Sequence, residues 1–129
     1  MDLETRVNGE LDKGFCCSEI VMKIYLEEAE KNNPDLVKAM GAFCGGMDGN
    51  QVCGALVGAC CAIVDSSEDK FEAKPLKLEF MEKFNEKFDG YTCDDLIGGS
   101  AEQRIQRCPI IIEETCYELI DFLEENALL

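Results

Sequence analysis

The stretch Gln51-Val52-Cys53-Gly54-Ala55-Leu56-Val57-Gly58-Ala59-Cys60-Cys61-Ala62-Ile63-Val64 decides the fold. Every residue from Val52 to Val64 is apolar or glycine. A helix built from it has no face suited to water, so it belongs at the buried centre of a domain. At 13 residues the run is too short to cross a bilayer, which takes roughly 20.

The flanking segments read as helices packed around that centre. On the amino-terminal side, Asp2 to Lys13 places Leu3, Val7 and Leu11 four apart and stops at Gly14. A second helix runs from about Cys17 to Lys31, with Cys17, Ile20, Val21 and Ile24 on one face. Asn33-Pro34 is a start signal, Asn as cap and Pro at the first helical position. The glycine-rich segment Cys44 to Asn50 is expected to be a flexible turn.

On the carboxy-terminal side, residues 65–74 read as a charged connection. Pro75 is expected to open a fifth helix, or to sit in its first turn, with Leu76, Phe80, Phe84 and Phe88 on one stripe and Asp89-Gly90 at its end. Thr92 caps one or two turns, and a break at Gly98-Gly99-Ser100 follows. Cys108-Pro109 is expected to begin the last helix, which turns Ile112, Cys116, Leu119, Ile120 and Leu123 inward. No strand pattern survives inspection. The expectation is all-α: residues 1–129 as one compact helical bundle of about five or six helices around the apolar central one.

Composition then excludes whole classes of function. With 12 basic against 27 acidic residues the chain carries −15. Nucleic-acid partners and anionic membranes need a basic surface, so neither is expected. The amino terminus lacks the order of a signal peptide, which makes a cytoplasmic location the default. There are nine cysteines and no histidine. Histidine-based dyads and triads, His-ligated zinc and the C-x-x-C-H haem attachment are therefore impossible. No two cysteines are three apart, so thioredoxin-like, zinc-ribbon and ferredoxin signatures are missing as well.

Position divides the nine. Cys60, Cys61 and Cys116 sit on apolar helix faces and read as small hydrophobes. Cys16, beside Cys17, and Cys44, in the glycine turn, have no role fixed by their positions. Cys17, Cys53, Cys93 and Cys108 all fall at expected helix starts. Unpaired N–H groups there favour the thiolate and lower its pKa. Arg104 and Arg107 lie within four residues of Cys108 and add positive charge. Gly54 and Gly58, four apart, let another helix come close to the one that carries Cys53.

At Cys53-Gly54-Ala55-Leu56-Val57-Gly58 the chain resembles the redox-active family named for the pattern C_GCAxxG_C_C. The resemblance covers nearly the whole length. Its first cysteine matches Cys17 within Gly14-Phe15-Cys16-Cys17, and its second is Cys53. The third matches Cys93 in Cys93-Asp94-Asp95-Leu96-Ile97-Gly98, and the fourth is Cys108. These are the four cysteines that the helix starts select. Cys16, Cys44, Cys60, Cys61 and Cys116 depart from the pattern. The resemblance implies redox chemistry and no particular reaction; in related domains found beside haem-binding segments it implies an iron–sulfur centre.

Three functions follow as alternatives. In the first, the four cysteines work by dithiol/disulfide exchange or electron transfer with a redox partner protein or a small thiol, Cys53 and Cys108 being the favoured nucleophiles. In the second, the same four hold an iron–sulfur cluster or a zinc ion. In the third, an acidic helical interaction protein merely packs its cysteines, which would then be scattered. Substrate, electron partner and oligomeric state stay open, a homodimer included.

Overall fold

A computed structural model describes residues 2–97 and 101–129 of the chain. They form α1 (Leu3–Asp12), α2 (Cys17–Glu28), α3 (Pro34–Met40), α4 (Gly54–Ser66), α5 (Lys70–Phe88), α6 (Cys93–Ile97) and α7 (Ala101–Glu125). A short 3-10 turn, Gly41–Phe43, follows α3. The fold is all-helical, and no strand occurs among the described residues. The expected Gly98-Gly99-Ser100 break lies outside them.

Local chemistry sets several boundaries where the sequence places them. Asp2 caps α1 by accepting from the Thr5 N–H, and Asn33 caps α3 by accepting from that of Leu36. After α1 the chain turns at Gly14, whose φ of 94° suits glycine.

The two proline expectations need correction. Helix α5 begins at Lys70, capped by Asp69, whose carboxylate accepts from the N–H groups of Phe71 and Glu72. Pro75 therefore lies in its interior. Helix α7 likewise runs through Pro109 from Ala101, so Cys108 is an interior residue and begins nothing. An interior proline leaves the carbonyl four residues earlier without its helical donor. Those carbonyls belong to Phe71 and Ile105, which are 74% and 76% exposed. Water can serve both, so both helices continue.

The core centres on a pair of helices. Ile20, Val21 and Met22 of α2 are fully buried, as are Ala55, Ala59, Ala62 and Ile63 of α4. Helix α7 closes one side with Ile112, Leu119 and Leu123, and α5 adds Phe80, edge-on to Phe122 at 5.5 Å. A β-carbon at Gly58 would meet the Ser18 carbonyl oxygen at 2.9 Å, so its absence lets α2 and α4 touch backbone to backbone. Ser18 is buried without an unmet bond, because its hydroxyl donates to the Met40 carbonyl at 2.8 Å.

Helix α4 is less enclosed than its composition predicts. Val57, Cys60 and Cys61 are half-buried and Val64 is exposed. Together with Leu36 and Met81 they line an apolar groove of about 570 Å³. Cys60 and Cys61 thus border a groove and are not sealed in the core; Cys116 is sealed, at 1% exposure. Uniform apolarity told of a buried helix but not of the one side left open.

Candidate functional site

Four elements bring Cys17, Cys53, Cys93 and Cys108 to one end of the α2–α4 pair. Cys17 is the first residue of α2, and Cys53 is the cap residue of α4. The next residue, Gly54, has no Cβ, and the Cys17 sulfur packs against it, where a Cβ would lie 2.4 Å away. The Cys53 N–H donates to the Tyr91 carbonyl at 2.7 Å, which ties the start of α4 to the strand of chain leading into α6. Thr92 caps α6 by accepting from the Asp95 N–H at 3.0 Å. Cys93 then points its thiol at the Val52 carbonyl oxygen, 3.7 Å away. Cys108 arrives from α7.

Cys53 and Cys93 are each 3% exposed, whereas Cys17 and Cys108 are half-buried. The latter two line a cavity of about 430 Å³ with Leu11, Cys16, Gly45 and Arg104. The set therefore has two sulfurs beneath the surface and two facing an entrance.

The sulfurs are close enough to feel one another's charge. Burial pushes the Cys17 thiol from 9.0 up to about 12, and negative charge on Cys53, Cys108 and Cys93 adds to the rise. Cys53 is raised to about 11, again by burial first, with Cys93 and Cys108 contributing. Cys108 is raised by burial, while the Arg104 cation opposes the rise and Cys93 reinforces it.

These directions correct the helix-start expectation of lowered thiol pKa values. The local effect exists, since backbone N–H groups of Leu56 and Ala55 do favour the Cys53 thiolate. It is outweighed by the cost of holding an anion out of water. Cys108 lies inside α7 and has no helix start at all. At Cys53 and Cys108, the expected nucleophiles, burial thus works against the thiolate. Arg104 acts on Cys108 as expected, but Arg107 is exposed and does not line the cavity.

The oxidised pair is the one whose positions fixed no role. Cys16 and Cys44 are joined by a disulfide, their Cα atoms 5.6 Å apart. Cys16 caps α2, and its N–H donates to the Glu19 carboxylate at 3.0 Å. Positions 28 residues apart carry no local signal of pairing, and the bond forms because α3 folds back along α2.

The donor set can be tested against a metal. Among the described residues, three potential ligand atoms within 4.8 Å of one another occur at Cys16, Glu19 and Cys44. No three of Cys17, Cys53, Cys93 and Cys108 are gathered so tightly. A tetrahedral zinc site needs sulfurs roughly 3.5–4 Å apart, so the four are not preset for one zinc ion. A cluster with more than one iron is held by four cysteine thiolates, the number of cysteines that the four elements supply here.

One protein family, described as "Putative redox-active protein (C_GCAxxG_C_C)", matches the chain over residues 15–122. No curated protein and no solved structure matches it.

Proposed function

The chain belongs to the C_GCAxxG_C_C family, and from that premise we propose that it is an electron-transfer protein in which Cys17, Cys53, Cys93 and Cys108 are the thiolate ligands of an iron–sulfur cluster. The observation that carries this reading is the gathering of four cysteines from four separate elements, Cys17 packed on Gly54 and Cys93 on Gly46; burial also raises the thiols to about 12 at Cys17 and about 11 at Cys53. Thiols so raised are almost wholly protonated near neutral pH and make poor nucleophiles. A metal centre reverses that preference, because coordination deprotonates the thiol outright. Such a cluster would supply one-electron transfer.

The chain's own residues do the rest. Cys53 and Cys93 would anchor the group beneath the surface, Cys17 and Cys108 would close it from the cavity side, and Gly54 makes the room. Arg104 would offset part of the added negative charge beside Cys108. The scattered sulfurs expected of a protein that merely packs its cysteines are not what these placements support.

The test is anaerobic purification followed by iron and acid-labile sulfide analysis with a visible spectrum. Iron and sulfide in a coloured sample, lost on Cys→Ser substitution at any of the four and kept in Cys116→Ser, is the expected result. A colourless sample with no iron, after anaerobic purification and reconstitution, would return the four thiols to dithiol/disulfide exchange.

A further inference from the structure

Cys16 and Cys44 stand apart from the four matched cysteines, and their disulfide sits at the mouth of an unusual piece of backbone. Cys44 opens a segment in which Gly45, Gly46, Met47 and Asp48 all have φ between 62° and 65°. Glycine adopts this left-handed conformation freely, but Met47 and Asp48 do so against the steric preference of any side chain with a Cβ. Such a turn lasts only where its surroundings over-determine it. Met47 is 54% exposed and brings little packing. What fixes the turn is the disulfide at Cys44, the Asp48 N–H donating to the Cys44 carbonyl at 3.0 Å, and the Gln51 N–H donating to that of Gly46 at 3.0 Å.

The turn in turn covers one member of the four-cysteine set. Gly46 is buried, and a β-carbon on it would lie 2.9 Å from the Cys93 sulfur. Disulfide, left-handed turn and Cys93 thus form a continuous chain of contacts.

We propose that Cys16 and Cys44 are a second, two-electron redox site, reduced by a dithiol, whose oxidised form pins the glycine turn over Cys93. The significance of covering Cys93 rests on the four-cysteine reading; the couple and the turn it holds do not. Both residues are half-buried, and Cys16 lines the cavity of about 430 Å³ through which a reagent would enter. The Glu19 carboxylate lies within 4.8 Å of both sulfurs, 3.7 Å from that of Cys44. An incoming thiolate attacks one sulfur of the pair and expels the other as a thiolate, leaving a mixed disulfide with the reagent. The second thiol of the reagent then attacks its own first sulfur, closing the reagent's disulfide and releasing the remaining cysteine. The protein gains two electrons and two protons, and the dithiol loses the same.

The experiment compares the full-length, anaerobically purified protein with and without dithiothreitol. Alkylation mapped by mass spectrometry reports the state of each cysteine, and amide hydrogen exchange reports the turn. Cys16 and Cys44 should take up label together after dithiol treatment of the folded protein and not before. Exchange at residues 45–51 should then accelerate by about tenfold or more, as expected for loss of a local restraint. The Cys16→Ser/Cys44→Ser double variant should show the fast exchange without dithiol. Reduction that requires urea, label present before treatment, or unchanged exchange after reduction of the wild type would each overturn the proposal. Iron and sulfide measured on the same sample report separately on the four-cysteine centre.

Discussion

A β-carbon placed on Gly54 would fall 2.4 Å from the Cys17 sulfur. The same atom would lie 3.1 Å from the Phe43 carbonyl oxygen, so it is confined on two sides. Gly54→Ala must displace Cys17 or push α2 away from α4. Its expected cost is about 1–3 kcal/mol of stability, typical of overpacking, together with loss of the cluster or of whatever the four thiols do. Gly9 is the control, since it lies in α1 with nothing within 4 Å of its would-be Cβ. Gly9→Ala should stabilise by about 0.5–1 kcal/mol through helix propensity alone. Urea midpoints of the two variants should move in opposite directions.

Alkali should destabilise the metal-free protein. In the unfolded chain thiols ionise near 9.0, while the fold keeps the Cys17 proton to about 12 and that of buried Cys116 likewise. The raised pKa values add stability that is fully present below pH 9, and this is lost as pH rises toward 12. Thiolate absorbance in the ultraviolet should therefore appear at higher pH in folded than in urea-unfolded protein. Coincident titration curves would contradict the burial argument.

Arg104 should be felt at Cys108. Its cation opposes the rise that burial imposes on that thiol. Arg104→Gln should shift the Cys108 pKa further up and slow its alkylation at fixed pH in the metal-free protein. Arg107→Gln, at an exposed position off the cavity wall, should leave that rate nearly unchanged. Equal slowing by both would mean that net charge, not the local cation, sets Cys108 reactivity.

One buried hydroxyl offers a gain. Thr115 is fully buried, and its Oγ1 has no hydrogen-bond partner among the described residues. Thr115→Val keeps the shape and removes the unmet polar group, so stability should rise by about 1 kcal/mol. Thermal melting of the two proteins decides the point; a lower midpoint for the variant would show that the hydroxyl is satisfied by water.

The helical class and the four cysteines were legible because each depends on local chemistry. Asn33-Pro34, Thr92 and the apolar stretch around Leu56 announce helices without reference to anything distant. Cys17 and Cys53 do lie at the starts of α2 and α4. What was not legible depends on exposure or on distance along the chain. Pro109 reads as a helix start on paper, and only the exposure of Ile105, one turn earlier, shows why α7 continues. Pro75 misled for the same reason, although Asp69 followed by Glu72 was a readable start signal for α5. The helix-start argument had the sign of the Cys53 backbone contribution right, but burial, which no local pattern states, reversed the sum. The Cys16–Cys44 bond depends on how α3 returns along α2, which spacing does not reveal.

No two of Cys17, Cys53, Cys93 and Cys108 share a helix, so no single helix of the chain can assemble the site. A ligand that requires all four sulfurs binds the complete fold and not its parts. It therefore shifts the folding equilibrium of the whole domain, by an amount that grows with the logarithm of its free concentration. Melting temperature becomes a readout of occupancy. In the cell, proteases clear the unfolded fraction, so the supply of that ligand would govern how long each molecule survives.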